Sequence, residues 1–144
     1  MKIFLFSFSL MAFASLFSFC KHTKYTPTSL PDKQLQWGNG GGFTGKETTY
    51  TLLENGQIFK RDGAGALLVE LEGTKKKNAK TLFSTAETLG LNKLDFMHPG
   101  NTYSFIEAPG AENGRRITWG DTRMPPDAKV QDFYGQLQAL VKAK

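Results

Sequence analysis

Lys46-Glu47-Thr48-Thr49-Tyr50-Thr51-Leu52-Leu53, then Glu54-Asn55-Gly56, then Gln57-Ile58-Phe59-Lys60-Arg61 is the stretch whose reading decides the fold. Its two arms are rich in β-branched, aromatic and apolar residues, which suit a pleated, half-buried surface. Asn55-Gly56 between them predicts a hairpin, because both central positions of a type I′ turn need positive φ and these residues tolerate it. Lys46 to Leu53 is therefore expected as one strand and Gln57 to Arg61 as its partner.

Toward the N-terminus, Lys33 to Trp37 reads as a short strand entering a glycine loop at Gly38-Asn39-Gly40-Gly41-Gly42. Toward the C-terminus, a turn at Asp62-Gly63-Ala64-Gly65 leads into Ala66 to Leu71. There the continuous run Leu67-Leu68-Val69 predicts a strand more buried than its neighbours. Thr74 is placed to cap a helix whose apolar stripe is Ala79, Leu82, Phe83, Ala86 and Leu89, closed by Gly90. Leu91 to Met97 reads as an apolar connector and His98-Pro99-Gly100-Asn101 as a turn. Thr102 to Glu107 and Arg115 to Trp119 flank Pro109 to Gly114 as a second hairpin. After Pro125-Pro126-Asp127, the residues Val130, Phe133, Tyr134, Leu137, Leu140 and Val141 fall on one helical face. Hairpin links without a repeated βαβ crossover predict an α+β fold: an antiparallel sheet of about five to six strands with two helices packed on one face.

The rest of the chain concerns location. Met1-Lys2 supplies a positive start, and Ile3 to Phe19 carries no charge, the pattern of a secretory signal. At 17 residues the stretch is at the low edge for an uncleaved transmembrane anchor. Cys20, the single cysteine, ends this run, and Lys21, His22 and Lys24 follow it. Leu16-Phe17-Ser18-Phe19-Cys20 resembles the lipobox of bacterial lipoproteins, with Phe19 where a small residue is usual. The resemblance implies a diacylglycerol on the Cys20 sulfur and a lipid-anchored protein of the bacterial cell envelope. An earlier Ala12-Phe13-Ala14 match would instead leave Cys20 as an unpaired thiol outside the cytoplasm, an uncommon state. Lys21 in place of an aspartate after the cysteine favours the outer membrane, facing the periplasm. Residues 1–19 are thus expected as a signal peptide, 20–32 as the lipidated cysteine and a flexible tether, and 33–144 as one domain.

Of 144 residues, 40% are hydrophobic and 22% charged, ordinary for a globular protein, and the formal charge is +5. That excess is modest and scattered apart from Lys75, Lys76 and Lys77, so a nucleic-acid partner is not expected. Catalysis is poorly provided for. His22 lies in the tether and His98 in a turn, no cluster has metal-ligand spacing, and no serine sits in a nucleophile elbow. No catalytic residue, metal or cofactor is expected, and the carboxylates Asp62, Asp95, Glu107, Glu112, Asp121 and Asp127 form no readable pair.

One segment stands out: Gly38-Asn39-Gly40-Gly41-Gly42-Phe43-Thr44-Gly45 holds five glycines and an aromatic in eight residues. Such a loop is entropically costly unless it needs positive φ or close backbone approach. It is no P-loop, because Gly45-Lys46 is followed by Glu47. A wide hairpin turn or bulge is one reading and a binding role the other. Gly41-Gly42-Phe43-Thr44-Gly45 is similar to the Ser-Gly-Gly-Phe-Ala-Gly segment of the emfourin family, small inhibitors of thermolysin-like metalloproteases, with Gly40 where that Ser would stand. The similarity continues in order through the helix Thr81 to Leu89, the strand around Tyr103, the strand ending Trp119-Gly120-Asp121 and the helix after Pro126. This chain adds the hairpin Asn55 to Leu71 between the glycine segment and the first helix. The resemblance implies a protease partner contacted by Gly41, Gly42, Phe43, Thr44 and Gly45.

Two functions follow. One is a tethered, non-catalytic binding module, in its sharper form a protease inhibitor, with Phe43 at its recognition edge. The other is an envelope enzyme or small-ligand or sugar carrier with a cleft near Trp37, Trp119 and Asp121.

Overall fold

The computed structural model describes residues 23–142, so Cys20, His22 and the expected signal peptide lie outside the described residues. The elements in chain order are β1 (Leu35–Gly41), β2 (Thr48–Leu52), β3 (Ile58–Asp62), β4 (Val69–Leu71), α1 (Lys76–Thr88), β5 (Met97–His98), β6 (Thr102–Glu107), β7 (Ile117–Trp119) and α2 (Ala128–Lys142). The fold is α+β, with one seven-stranded sheet in the order β4-β3-β2-β1-β6-β7-β5. The expectation of five to six antiparallel strands is corrected in two respects. The strands number seven, and the sheet is mixed because β5 runs parallel to β7. The additional strand is Met97–His98, within the stretch expected as connector and turn. Two residues are too few to leave a period in the sequence.

The central hairpin forms as expected, but its turn is of another kind. Only Gly56 takes positive φ, at 97°. Gly56 N–H donates to the Leu53 carbonyl at 2.9 Å, and the Asn55 side-chain oxygen accepts the Gln57 N–H at 3.0 Å. Asn55 therefore acts through its side chain instead of a left-handed backbone. Gly56 itself lies against the strand-to-helix connection, with its carbonyl accepting the Thr74 N–H at 2.9 Å.

β1 also differs from expectation, continuing through the glycines to Gly41. The register explains it: Gly38 lies opposite Phe105 and Gly40 opposite Tyr103. A Cβ on Gly38 would stand 1.9 Å from the Thr48 carbonyl oxygen and 2.9 Å from the Phe105 ring, and one on Gly40 would meet the Tyr103 hydroxyl at 2.7 Å. Two of the glycines are thus seats for aromatic rings reaching across from β6. The weakness of Gly in a strand is offset by that packing.

Strand alternation sorts the side chains. Leu35, Trp37, Leu52, Ile58, Ile106 and Ile117 share one face by register. They join Ala79, Leu82, Phe83 and Ala86 of α1 and Val130, Phe133 and Leu137 of α2 in a single buried cluster. The 3.6-residue stripes are therefore satisfied against this one face. Thr74 does not cap α1; its hydroxyl accepts a hydrogen bond from the Asn78 side chain at 3.3 Å. At the other end Gly90 at φ 63° turns the chain so that Leu91 N–H reaches the Ala86 carbonyl at 3.1 Å, the bonding of a Schellman motif. Asp127 caps α2 by accepting the Lys129 N–H at 2.8 Å. The opposite sheet face buries Thr49, Thr51, Phe59, Phe105 and Thr118 outside that cluster.

The part of the expected tether within the described residues lies beside the β2–β3 turn. The Asn55 side chain donates to the Thr23 carbonyl at 2.7 Å, and Gln57 both accepts the Tyr25 N–H at 2.8 Å and donates to its carbonyl at 3.0 Å.

Candidate functional site

The expected binding residues Gly41, Gly42, Phe43, Thr44 and Gly45 are brought together where β1 passes into β2. Gly41 ends β1, and Gly42 N–H donates to the Asn101 carbonyl at 2.7 Å, fixing the exit direction of the chain. Gly45 N–H closes the turn on the Gly42 carbonyl at 3.2 Å, and the Thr44 hydroxyl accepts the Lys46 N–H at 3.4 Å. All three glycines have positive φ, between 60° and 87°. Their side-chain-free backbone lets the loop reverse so tightly that Phe43 is left at its tip with a relative exposure of 105%.

The base of the loop is braced by a charged network that sequence reasoning missed. Arg116 Nη1 lies 3.0 and 2.9 Å from the two carboxylate oxygens of Glu47, and Arg116 Nε lies 3.3 Å from Glu107. The Tyr103 hydroxyl donates to Glu47 at 2.9 Å, while the Arg116 guanidinium stacks over the Phe105 ring at 4.1 Å. Accepting that bond, Glu47 raises the Tyr103 phenol above the ordinary tyrosine range, with partial burial acting in the same direction. The network ties the first residues after the loop to β6 and, across 69 residues of sequence, to Arg116 just before β7. No local spacing signals such a pairing; only the alternation that puts Glu47, Tyr103 and Glu107 on the face opposite the helices could have suggested it.

On the other side of Glu47, Asp62 collects the Thr48 hydroxyl at 2.7 Å, Lys46 at 3.1 Å and Lys60 at 3.7 Å. The Thr48 hydrogen bond, followed by the one from Lys46, holds its carboxyl below the usual range. Gly63 N–H donates to the Glu47 carbonyl at 2.8 Å, so the β3–β4 loop stands beside the β1–β2 loop at the same end of the sheet.

The residues named for a cleft are not gathered. Trp37 is fully buried and stacked on Tyr50, with ring centroids 5.5 Å apart. Trp119 meets the Tyr134 ring edge-on at 5.0 Å, and Asp121 is paired with Arg123 at 2.9 Å. A hollow of about 380 Å³ beside Trp119 is lined by Asn39, Lys46 and Tyr103 among others, and neither Trp37 nor Asp121 belongs to it. His98, expected in a turn, belongs to β5 and lies edge-on to Phe96 at 4.7 Å. Among the described residues no group of three His, Cys, Asp or Glu side chains is placed to hold a metal ion. What this end of the sheet offers chemically is an aromatic ring on a glycine backbone, held over a rigid base. No family model matches the chain, and the comparison with curated proteins gave no match.

Proposed function

We propose that the chain is an exported, lipid-anchored binding protein of the bacterial envelope whose domain inhibits thermolysin-like metalloproteases through the β1–β2 loop. One observation carries the reading: Phe43 is wholly exposed at the tip of a loop whose base is pinned by Arg116, Glu47 and Tyr103. An unsupported aromatic ring is ordinarily buried, and a rigid base lowers the entropy lost when it is captured. Seating such a ring in an apolar pocket is worth about 1.5–3 kcal/mol, and the glycines on either side let a cleft approach the backbone closely.

An anchor three residues before Thr23 would suit this role. Thr23, the first described residue, sits at the β2–β3 turn, while the β1–β2 loop is at the other end of β2. Five residues of strand separate the two ends by about 17 Å. Lipid on Cys20, which lies outside the described residues, would hold the membrane nearer the turn and leave Phe43 facing away. Among the described residues no helix is long and apolar enough to cross a membrane.

The test is to titrate thermolysin with the full chain. Inhibition at micromolar concentration or below supports the proposal; full protease activity at that concentration removes the inhibitor reading. Globomycin treatment and palmitate labelling of expressing cells test the anchor separately. If the precursor neither accumulates nor takes up the label, attachment at Cys20 is overturned.

A further inference from the structure

Ala66-Leu67-Leu68-Val69 has the composition of a buried strand, yet Leu67, two residues before β4, is 88% exposed and Val69, its first residue, 58%, and β4 is the terminal strand of the sheet. Where local sequence contradicts its environment, a demand other than stability is the usual cause. We infer that the open edge of β4 is a docking site for an extended segment of a partner protein, alternating apolar and basic residues, which adds to the sheet as a further strand.

In an antiparallel sheet every second residue of an edge strand turns its N–H and C=O away from its neighbour, and β4 pairs with β3 alone among the described residues. Both edges are short, β4 with three residues, but they differ in sequence. The far edge, β5, has two residues and stops at Pro99. Ala66 to Glu72 contains no proline and no lysine, the residues that usually blunt an edge. Register puts Val69 and Leu71 on the helix-bearing face, where Leu71 packs against the core. An incoming strand with apolar residues on that side would extend the core over Val69. Glu70 points to the other face and is held by the Gln57 side chain at 3.0 Å and, more loosely, by Lys24 at 3.8 Å. Its carboxylate calls for a Lys or Arg between the apolar positions.

Other occupants fit less well. A second copy pairing along the whole of β4 sets Glu70 opposite Glu70, and like charges directly opposite destabilise. A bilayer would leave the outward peptide groups without hydrogen-bond partners in hydrocarbon.

The experiment is hydrogen exchange of the full chain in detergent, with a heptapeptide alternating Val and Lys and, separately, one alternating Val and Glu. The Val/Lys peptide at millimolar concentration should slow exchange of the outward-facing amides within Leu67–Leu71 about tenfold. Glu70→Lys should transfer the preference to the Val/Glu peptide, Glu70→Gln should abolish it, and Phe43→Ala should change nothing. The inference fails if no peptide protects β4, if protection is unaffected by both Glu70 substitutions, or if it rises with protein concentration in the absence of peptide. None of these outcomes bears on protease inhibition by the β1–β2 loop.

Discussion

Gly38→Ala is the substitution for which the structure gives the clearest magnitude. The added carbon would lie 1.9 Å from the Thr48 carbonyl oxygen and 2.9 Å from the Phe105 ring, whereas ordinary contact begins near 3.4 Å. The first obstacle is backbone, so β1 and β2 must separate locally by more than an ångström. That disrupts about two ladder hydrogen bonds at about 1 kcal/mol each and adds about 1–3 kcal/mol of overpacking against Phe105. The expected loss is about 3–5 kcal/mol, a large share of the total stability of a domain of this size. A fall in Tm of about 10–20 °C corresponds. Gly45→Ala is the control. Gly45 has no atom within 4 Å of its would-be Cβ, and only its φ of 60° penalises a side chain, by about 1–2 kcal/mol. Urea and thermal melts of the full chain followed by circular dichroism compare the two. If Gly38→Ala unfolds within 1 kcal/mol of wild type, or Gly45→Ala is the worse of the pair, the assignment of Gly38 to packing is wrong.

Arg116→Met keeps an apolar stem over Phe105 but strips Glu47 and Glu107 of their cation. With these side chains about one quarter exposed, the expected destabilisation is about 1–2 kcal/mol, and it should shrink in about 0.5 M salt, as read from urea midpoints. Tyr103 has its phenol pKa raised in the folded state, so its contribution is complete below the unfolded value near 10 and is lost as pH rises through the higher folded value. Tyr103→Phe should therefore cost about 1 kcal/mol or less at neutral pH and flatten the alkaline limb of stability, measured by urea melts across that range. Asp62 has a lowered pKa, so its contribution is present above 3.8 and lost as pH falls through the folded value; Asp62→Asn should flatten that acid limb in melts on either side of it.

How much was legible in the sequence depended on whether a feature was local. The two helical stripes, the Asn55-Gly56 hairpin and the strand Thr102–Glu107 were readable because period and turn chemistry are properties of neighbouring residues. The extent of β1 was not, because Gly38 and Gly40 look like loop residues until Phe105 and Tyr103 are laid across them. Leu67-Leu68-Val69 misled in the other direction. An apolar run predicts burial, but only Val69 of the three joins β4, and strand order, which places β4 at an edge, is decided by long-range pairing. At the candidate site Phe43 and its glycines were visible as an anomaly of composition. The Glu47, Tyr103 and Arg116 brace beneath them arises only from register. Residue type suggests a cleft at Trp37 and Trp119, yet both are turned to aromatic packing.

On the proposed reading, Phe43 engages a partner and does not stabilise the domain. Its direct test is the inhibition constant of Phe43→Ala against thermolysin, set beside that of the wild-type chain at matched melting temperature. Loss of a ring worth about 1.5–3 kcal/mol predicts inhibition weaker by about 10- to 150-fold with Tm unchanged. Equal inhibition by the two chains, or a Tm that falls with the substitution, would contradict it.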